Sequence, residues 1–146
     1  MRRTSATRFD KSRRVRKRSD YVEIQSQGRR VSTARFVIVL RARNAQTSTR
    51  ARLGITVSRK TGGAVVRNRA KRLVREAFRR TEELWAPGMD VVVIVKQLPD
   101  GLKLNDVVAE WEKARAAVAR RTREALEDLR FSLAAADGPD KVPDRP

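Results

Sequence analysis

The sequence predicts an α+β fold in which a small sheet carries helices largely on one face. Three observations lead there. "ARFVIVLRAR" (34–43) and "ARLGITVSR" (51–59) read as strands, and "MDVVVIVK" (89–96) is a continuous β-branched run of the kind that forms a buried strand. Between the second and third runs, "AVVRNRAKRLVREAFRR" has helical spacing. A longer helical period follows the last strand, with no internal repeat. At 146 residues without cysteine, the chain fits one domain able to bury a core without disulfides or a structural metal. The expected organisation is a basic flexible arm over 1–17, a folded unit over 18–131, and a Pro/Ala/Asp-rich, disordered tail over 132–146.

The first element is a short helix, "SDYVEIQSQG", with Ser19 or Asp20 as N-cap and Gly28 as its stop. Phe36, Ile38 and Leu40 then alternate with Val37, Val39 and Arg41, and the polar "NAQTSTR" separates this run from "ARLGITVSR", so the two read as a β-hairpin with a long loop. "TGG" breaks the chain before a helix expected from about Ala64 to Trp85, which "APG" ends. After the buried strand, Leu104, Val107, Val108, Trp111, Ala114, Val118, Ala125, Leu126 and Leu129 predict one long amphipathic helix to about Phe131.

Charge narrows the function. The net charge is +18, and residues 1–80 hold 25 Lys/Arg against 4 Asp/Glu, whereas residues 81–146 hold 10 against 13. So large a field on one half calls for a polyanion, with nucleic acid as the default partner and an anionic membrane surface as the weaker one. Most of the cations are arginine, whose planar fork suits phosphates and stacks on bases. Without cysteine or histidine, the chain has no zinc-finger ligands, thiol nucleophile, Ser/His/Asp triad or imidazole base, and no acid/base or metal constellation stands out among its carboxylates. No signal peptide or membrane-spanning run is apparent, so a cytoplasmic protein that does not engage membranes is expected; the Arg/Ser-rich start also has the composition of an organelle transit peptide.

On a helical wheel, Val66, Ala70, Leu73, Val74 and Ala77 form one buried stripe, while Arg67, Asn68, Lys71, Arg72, Arg75 and Arg79 share the opposite face, with Arg69 and Arg80 near its edge. Like charges at i,i+4 oppose helix formation, and Glu76 alone cannot offset them. A solvated face is the plain reading of a charge run. The near absence of alternating acids favours instead a surface that something anionic covers. Asn68 offers donors and an acceptor suited to base edges or a 2′-hydroxyl. Arg59 and Lys60 end a strand just before the glycines that turn the chain into the helix; neither a Walker pattern nor a dinucleotide fingerprint is present.

"RLGITVSRKTGGAVVRNRAKRLVREAFR" closely resembles the signature region of the bacterial ribonuclease P protein family, whose arginine-asparagine-arginine motif matches Arg67, Asn68 and Arg69, followed by Lys71, Arg72 and Arg75. A looser likeness covers about residues 8–125. The resemblance implies an αβββαβα order similar to domain 2 of ribosomal protein S5, with a left-handed βαβ crossover where strand physics alone favours the right-handed one. It implies an accessory protein subunit of an endoribonuclease that removes the 5′ leader of precursor tRNA, with the catalytic centre and its Mg²⁺ held mainly by an RNA subunit. The partners implied are that catalytic RNA and precursor tRNA, with no obligatory protein partner. The motif face, with Arg59 and Lys60, is expected to contact the catalytic RNA. A cleft holding Tyr21, Val37 and Val39 is expected to take the single-stranded leader. Gln25 and Val39 depart from the aromatics frequent at their positions, which reduces the stacking available there. A purely structural RNA-binding protein, such as a ribosomal protein, shares the same basic field, and a DNA-compacting protein is a third class.

Overall fold

The structure, a computed structural model, describes residues 13–43 and 50–137. In chain order these form α1 (Arg18–Gln27), β1 (Arg29–Ser32), β2 (Phe36–Ala42), β3 (Arg52–Val57), a 3-10 turn (Arg59–Thr61), α2 (Ala64–Arg80), a second 3-10 turn (Glu82–Leu84), β4 (Met89–Val95), α3 (Leu104–Lys113) and α4 (Arg115–Asp137).

The four strands lie in the order β1-β2-β4-β3. The expected hairpin between 34–43 and 51–59 does not form, because β4 inserts between them, antiparallel to β2 (Leu40 opposite Val91) and parallel to β3 (Leu53 opposite Val91). Burial explains this: β4 hides Val91, Val93 and Val95 on one face and Val92 on the other, and a strand apolar on both faces takes the centre of a sheet. β2 makes its hairpin with β1 instead, across the turn Thr33–Arg35. The Glu110 carboxylate ties that turn to α3, accepting from the Arg35 backbone N–H at 2.8 Å and from the Thr33 hydroxyl at 2.5 Å.

One sheet face presents Phe36, Ile38, Leu40, Leu53, Met89, Val91 and Val93 to the main core, where Val74, Ala77 and Phe78 of α2 and Trp111 of α3 meet them. Phe78, which the wheel did not place in the stripe, is fully buried and stacks on Trp85 with ring centroids 5.1 Å apart. The opposite face carries Val39 and Val92 beneath Val15 and Ile24, with Tyr21, Val37 and Ile94 packed around them.

Several boundaries move from expectation for local reasons. α1 starts at Arg18 behind Lys17, so Ser19 and Asp20 sit in the first turn and neither caps it. Gly28 does end α1, although its φ of −78° is ordinary. A Cβ there would lie 2.6 Å from both the Ile24 carbonyl and a Val39 methyl, so close approach to β2 is what requires glycine. α2 stops at Arg80, short of Trp85: the Thr81 hydroxyl donates to the Ala77 carbonyl at 2.7 Å and accepts from Trp85 Nε1 at 3.1 Å, which turns the chain so that Trp85 folds back onto Phe78. The long C-terminal helix breaks at Ala114 (φ −90°, ψ 6°), since α3 packs on α2 whereas α4 crosses β1 and β2, and one straight rod cannot do both. α4 continues to Asp137, well into the segment expected to be disordered, held by Ala125 in the core and by Arg29 donating to both Asp128 oxygens at 2.9 Å. At the other end, Val15 is buried and its N–H donates to the Leu53 carbonyl at 2.9 Å, so the last residues of the expected arm belong to the folded unit. The remainder of that arm (1–12) and of the tail (138–146) lies outside the described residues.

Candidate nucleic-acid interface

The turn "SRKTGG" is a strand end followed by a single 3-10 turn, and it sets Arg59 and Lys60, both exposed, beside the start of α2. Gly63 caps α2 with no side-chain hydrogen bond. Arg67 donates to the Gly62 carbonyl at 3.2 Å, which holds its guanidinium over the turn. Asn68 and Arg72 are exposed, while Lys71 and Arg75 are half-buried on the flank facing α1. Arg69 behaves differently: its guanidinium donates to the Leu102 carbonyl, bracing α2 against the segment that leads into α3. The structure therefore brings Arg59, Lys60, Arg67, Asn68, Lys71, Arg72 and Arg75 to one connected surface and turns Arg69 toward the protein.

None of these cations forms an ion pair with a carboxylate of the described residues. Other arginines do: Arg79 takes Glu76 at 2.7 Å, Arg35 takes Glu110, and Arg43 and Arg52 share Asp90. Apart from Glu76, which takes Arg79 near the end of α2, these acids are spent away from the motif face. The Arg75 guanidinium is held below its ordinary pKa, first by burial and then by the positive charges of Arg14 and Arg72, with Glu76 opposing. A cationic surface short of counter-charge is the electrostatic form of an anion site.

Tyr21 stands at the junction with a second surface. Its ring lies flat on β3 because residue 54 is glycine; a Cβ there would come within 2.8 Å of the ring. Its oxygen accepts the Ile55 N–H at 3.2 Å, satisfying an amide on the sheet's outer edge. Past α1, the same sheet face presents a row across the strands, Val37 opposite Ile94 and Ile94 opposite Thr56, all half-buried, where the leader cleft is expected. Gln25 Nε2 donates to Thr56 Oγ1 at 3.5 Å from the cleft wall. Val39 belongs to the row below, opposite Val92, and is fully buried under α1. It shapes the floor and offers no surface to a ligand, which corrects the expectation that it lines the cleft. Ile94 and Thr56 are cleft residues that sequence reasoning missed, because they come from strands whose neighbours were misassigned. Arg14 was missed as well, since only its pairing with β3 brings it beside Arg75.

The Gly54→Ala variant tests how Tyr21 is held. The added methyl is expected to push the ring off β3 and break the hydrogen bond to Ile55, lowering stability by about 1 kcal/mol or less, because the ring is half-exposed. Thermal melting and tyrosine fluorescence quenching check this; an unchanged ring environment would show that β3 does not seat Tyr21.

A small α+β domain with a basic helix face whose motif cations lack carboxylate partners among the described residues defines a nucleic-acid-binding class of protein. The family model "Ribonuclease P" matches residues 9–119, and the chain belongs to that family. Among curated relatives, the ribonuclease P protein component of Syntrophus aciditrophicus is 41% identical over 100 residues, covering 68% of this chain and 82% of the relative. That of Dictyoglomus thermophilum is 35% identical, covering 74% and 92%. Among solved structures, the RNase P protein of Staphylococcus aureus superposes with a TM-score of 0.62 at 30% identity, covering 77% of this chain and 99% of that one. The RNase P protein of Thermotoga maritima gives 0.58 at 30% identity, covering 75% and 96%. The chain is accordingly an RNA-binding accessory subunit of an endoribonuclease, acting in the processing of tRNA 5′ ends.

Proposed function

We propose that the chain works by presenting two joined surfaces to RNA: the α2 face docks on a catalytic RNA, and the α1–sheet cleft holds the single-stranded 5′ leader of precursor tRNA. The observation that carries this reading is the set Arg67, Lys71, Arg72 and Arg75 on α2, none of them paired with a carboxylate of the described residues, with Lys71 and Arg75 lining one cavity with Tyr21. Arg59, Lys60, Arg67, Asn68 and Arg72 supply the docking contacts, and Lys71 and Arg75, also RNA-binding, stand where that face meets the Tyr21 side. Arg69 contributes by positioning α2 through Leu102. Tyr21 offers a ring for base stacking, worth about 1 to 3 kcal/mol, with Val37, Ile94 and Thr56 beneath the neighbouring nucleotide.

No group of three or more His, Cys, Asp or Glu side chains among the described residues is arranged to hold a metal ion. This reading leaves Mg²⁺ mainly to the RNA, whose phosphates supply the oxygen ligands that such an ion prefers. The protein's part is to bind and orient: its cations lower the repulsion between two polyphosphates and so strengthen substrate binding. A cytoplasmic location accords with such a partner, and no described helix is long and apolar enough to cross a membrane.

Reconstitution with a catalytic RNA and a leader-bearing tRNA precursor tests the reading. At low millimolar Mg²⁺ the protein is expected to stimulate 5′ cleavage, and log affinity is expected to fall with log salt at a slope of roughly −4 to −5 if about six phosphates are neutralised. Tyr21→Ala is expected to reduce the preference for precursor over mature tRNA while leaving catalytic-RNA docking intact. Tight binding without stimulation of cleavage would mark a structural RNA-binding protein instead.

A further inference from the structure

We infer that Arg14 completes an anion pocket with Lys71 and Arg75, and that this pocket takes one phosphodiester of the leader strand at the nucleotide adjoining the one on Tyr21. The inference rests on the leader reading above and adds to it a residue from a different part of the chain.

A cavity of about 190 Å³ opens between the edge of β3 and the flank of α2, lined by Arg14, Val15, Tyr21, Leu53, Ile55, Lys71 and Arg75. Its apolar floor is Val15, Leu53 and Ile55, and Tyr21 forms one side. Every charged residue around it is cationic. Arg14 is exposed, and its side chain pairs with no carboxylate of the described residues; the same holds for Lys71 and Arg75.

The position of Arg14 is built into the fold. Residues 14 and 15 run alongside β3, with Arg14 bridged in parallel to Leu53 and the Val15 N–H on the Leu53 carbonyl at 2.9 Å. Val15 is buried against Ile24 and Val92, which anchors the segment. Arg13 binds on the other side, its guanidinium donating to the Ala51 carbonyl at 3.3 Å and to Glu82 at 3.0 Å. The two arginines diverge: Arg13 is consumed by the scaffold, and Arg14 is delivered to the cavity.

Electrostatics supplies the reason for a ligand. Three cations around one small cavity repel one another, and the lowered Arg75 pKa records part of that cost, with Arg14 the largest charge acting on it. A phosphodiester supplies the missing charge and acceptor oxygens for two guanidinium forks and an ammonium. The source is the leader and not the docked RNA because Tyr21 is a wall of the same cavity. A strand with a base on that ring must carry its neighbouring phosphate past Lys71 and Arg75.

The test uses the holoenzyme reconstituted with a catalytic RNA. Leaders are prepared in which one phosphodiester at a time is replaced by an uncharged methylphosphonate, and precursor binding is measured with wild-type protein, Arg14→Gln and Arg14→Lys. One leader position is expected to lose about five- to tenfold in affinity with wild-type protein and nothing further with Arg14→Gln, the mark of direct coupling. Arg14→Lys is expected to restore most of that sensitivity. The melting temperature of Arg14→Gln is expected to match wild type, since the side chain is exposed. If each position costs the same in Arg14→Gln as in wild type while precursor is still preferred over mature tRNA, the pocket assignment falls and the leader reading stands. If wild-type holoenzyme binds precursor and mature tRNA alike, the leader reading falls and this inference with it.

Discussion

The Arg67→Ala, Arg72→Ala double variant is expected to bind the catalytic RNA far more weakly, with an unchanged melting temperature. Each lost phosphate contact makes the plot of log affinity against log salt shallower by about one, so the pair should flatten it by about two. Arg72 is exposed and pairs with no described carboxylate, and Arg67 holds only the Gly62 carbonyl, so the fold loses little by their removal. Relief of like-charge repulsion along α2 slightly favours the truncated helix. Arg69→Ala provides the contrast. Because its guanidinium braces the carbonyl of Leu102, that variant should lower stability and leave the salt slope nearly unaltered. A slope unchanged in the double variant would show that α2 does not face RNA phosphates.

Asp90→Ala is expected to be the most damaging single change to stability, at about 3 kcal/mol, read as a lower urea midpoint at constant m-value. Asp90 is 3% exposed on β4, and it accepts Arg52 Nε and Nη2 at 2.8 and 2.9 Å together with Arg43 Nη1 at 2.6 Å. Arg52 responds with a raised pKa, mostly through its hydrogen bond to Asp90 against the opposing effect of burial. Removing the carboxylate leaves two part-buried guanidinium groups beside each other without their counter-charge, Arg43 keeping the Met89 and Arg50 carbonyls as acceptors. Their partial exposure keeps the loss near the lower end for buried pairs. These residues also clasp β2 and β3 onto β4 at the C-terminal end of β2, so the loss should act on the whole sheet. Asp90→Asn, which keeps one acceptor oxygen but replaces the other with an amide donor and loses the charge, should fall between wild type and Asp90→Ala. A loss below about 1 kcal/mol for Asp90→Ala would mean that solvent rescues both arginines.

Much of the α2 face was legible because a helix wheel needs only local spacing: Ala70, Val74 and Ala77 are buried, and Asn68 and Arg72 are exposed, as their positions require. Val37 also sits on the sheet face that alternation set opposite Phe36, Ile38 and Leu40, which are core. The errors have a common physical origin. Strand partners are chosen by which strand can be buried on both faces, and that depends on where α1 and α2 come to rest; so β4, not β3, lies beside β2, and Ile94 and Thr56 became cleft residues. Where a cation comes to rest depends on partners far away in sequence: the Leu102 carbonyl takes the Arg69 guanidinium, and the bridge to Leu53 sets Arg14 beside the cavity that Lys71 and Arg75 line.

By itself, the sequence determined the α+β class, the polyanionic partner and the polarity of the motif helix, because each follows from composition or from periodicity within a few turns of chain, and the resemblance of its signature region to a known family pointed to the family. Only the tertiary structure decided the strand order, the burial of Val39, the break at Ala114 and the three-cation pocket. Those depend on contacts between residues tens of positions apart, where the free energy of burying two surfaces together outweighs what either segment prefers alone.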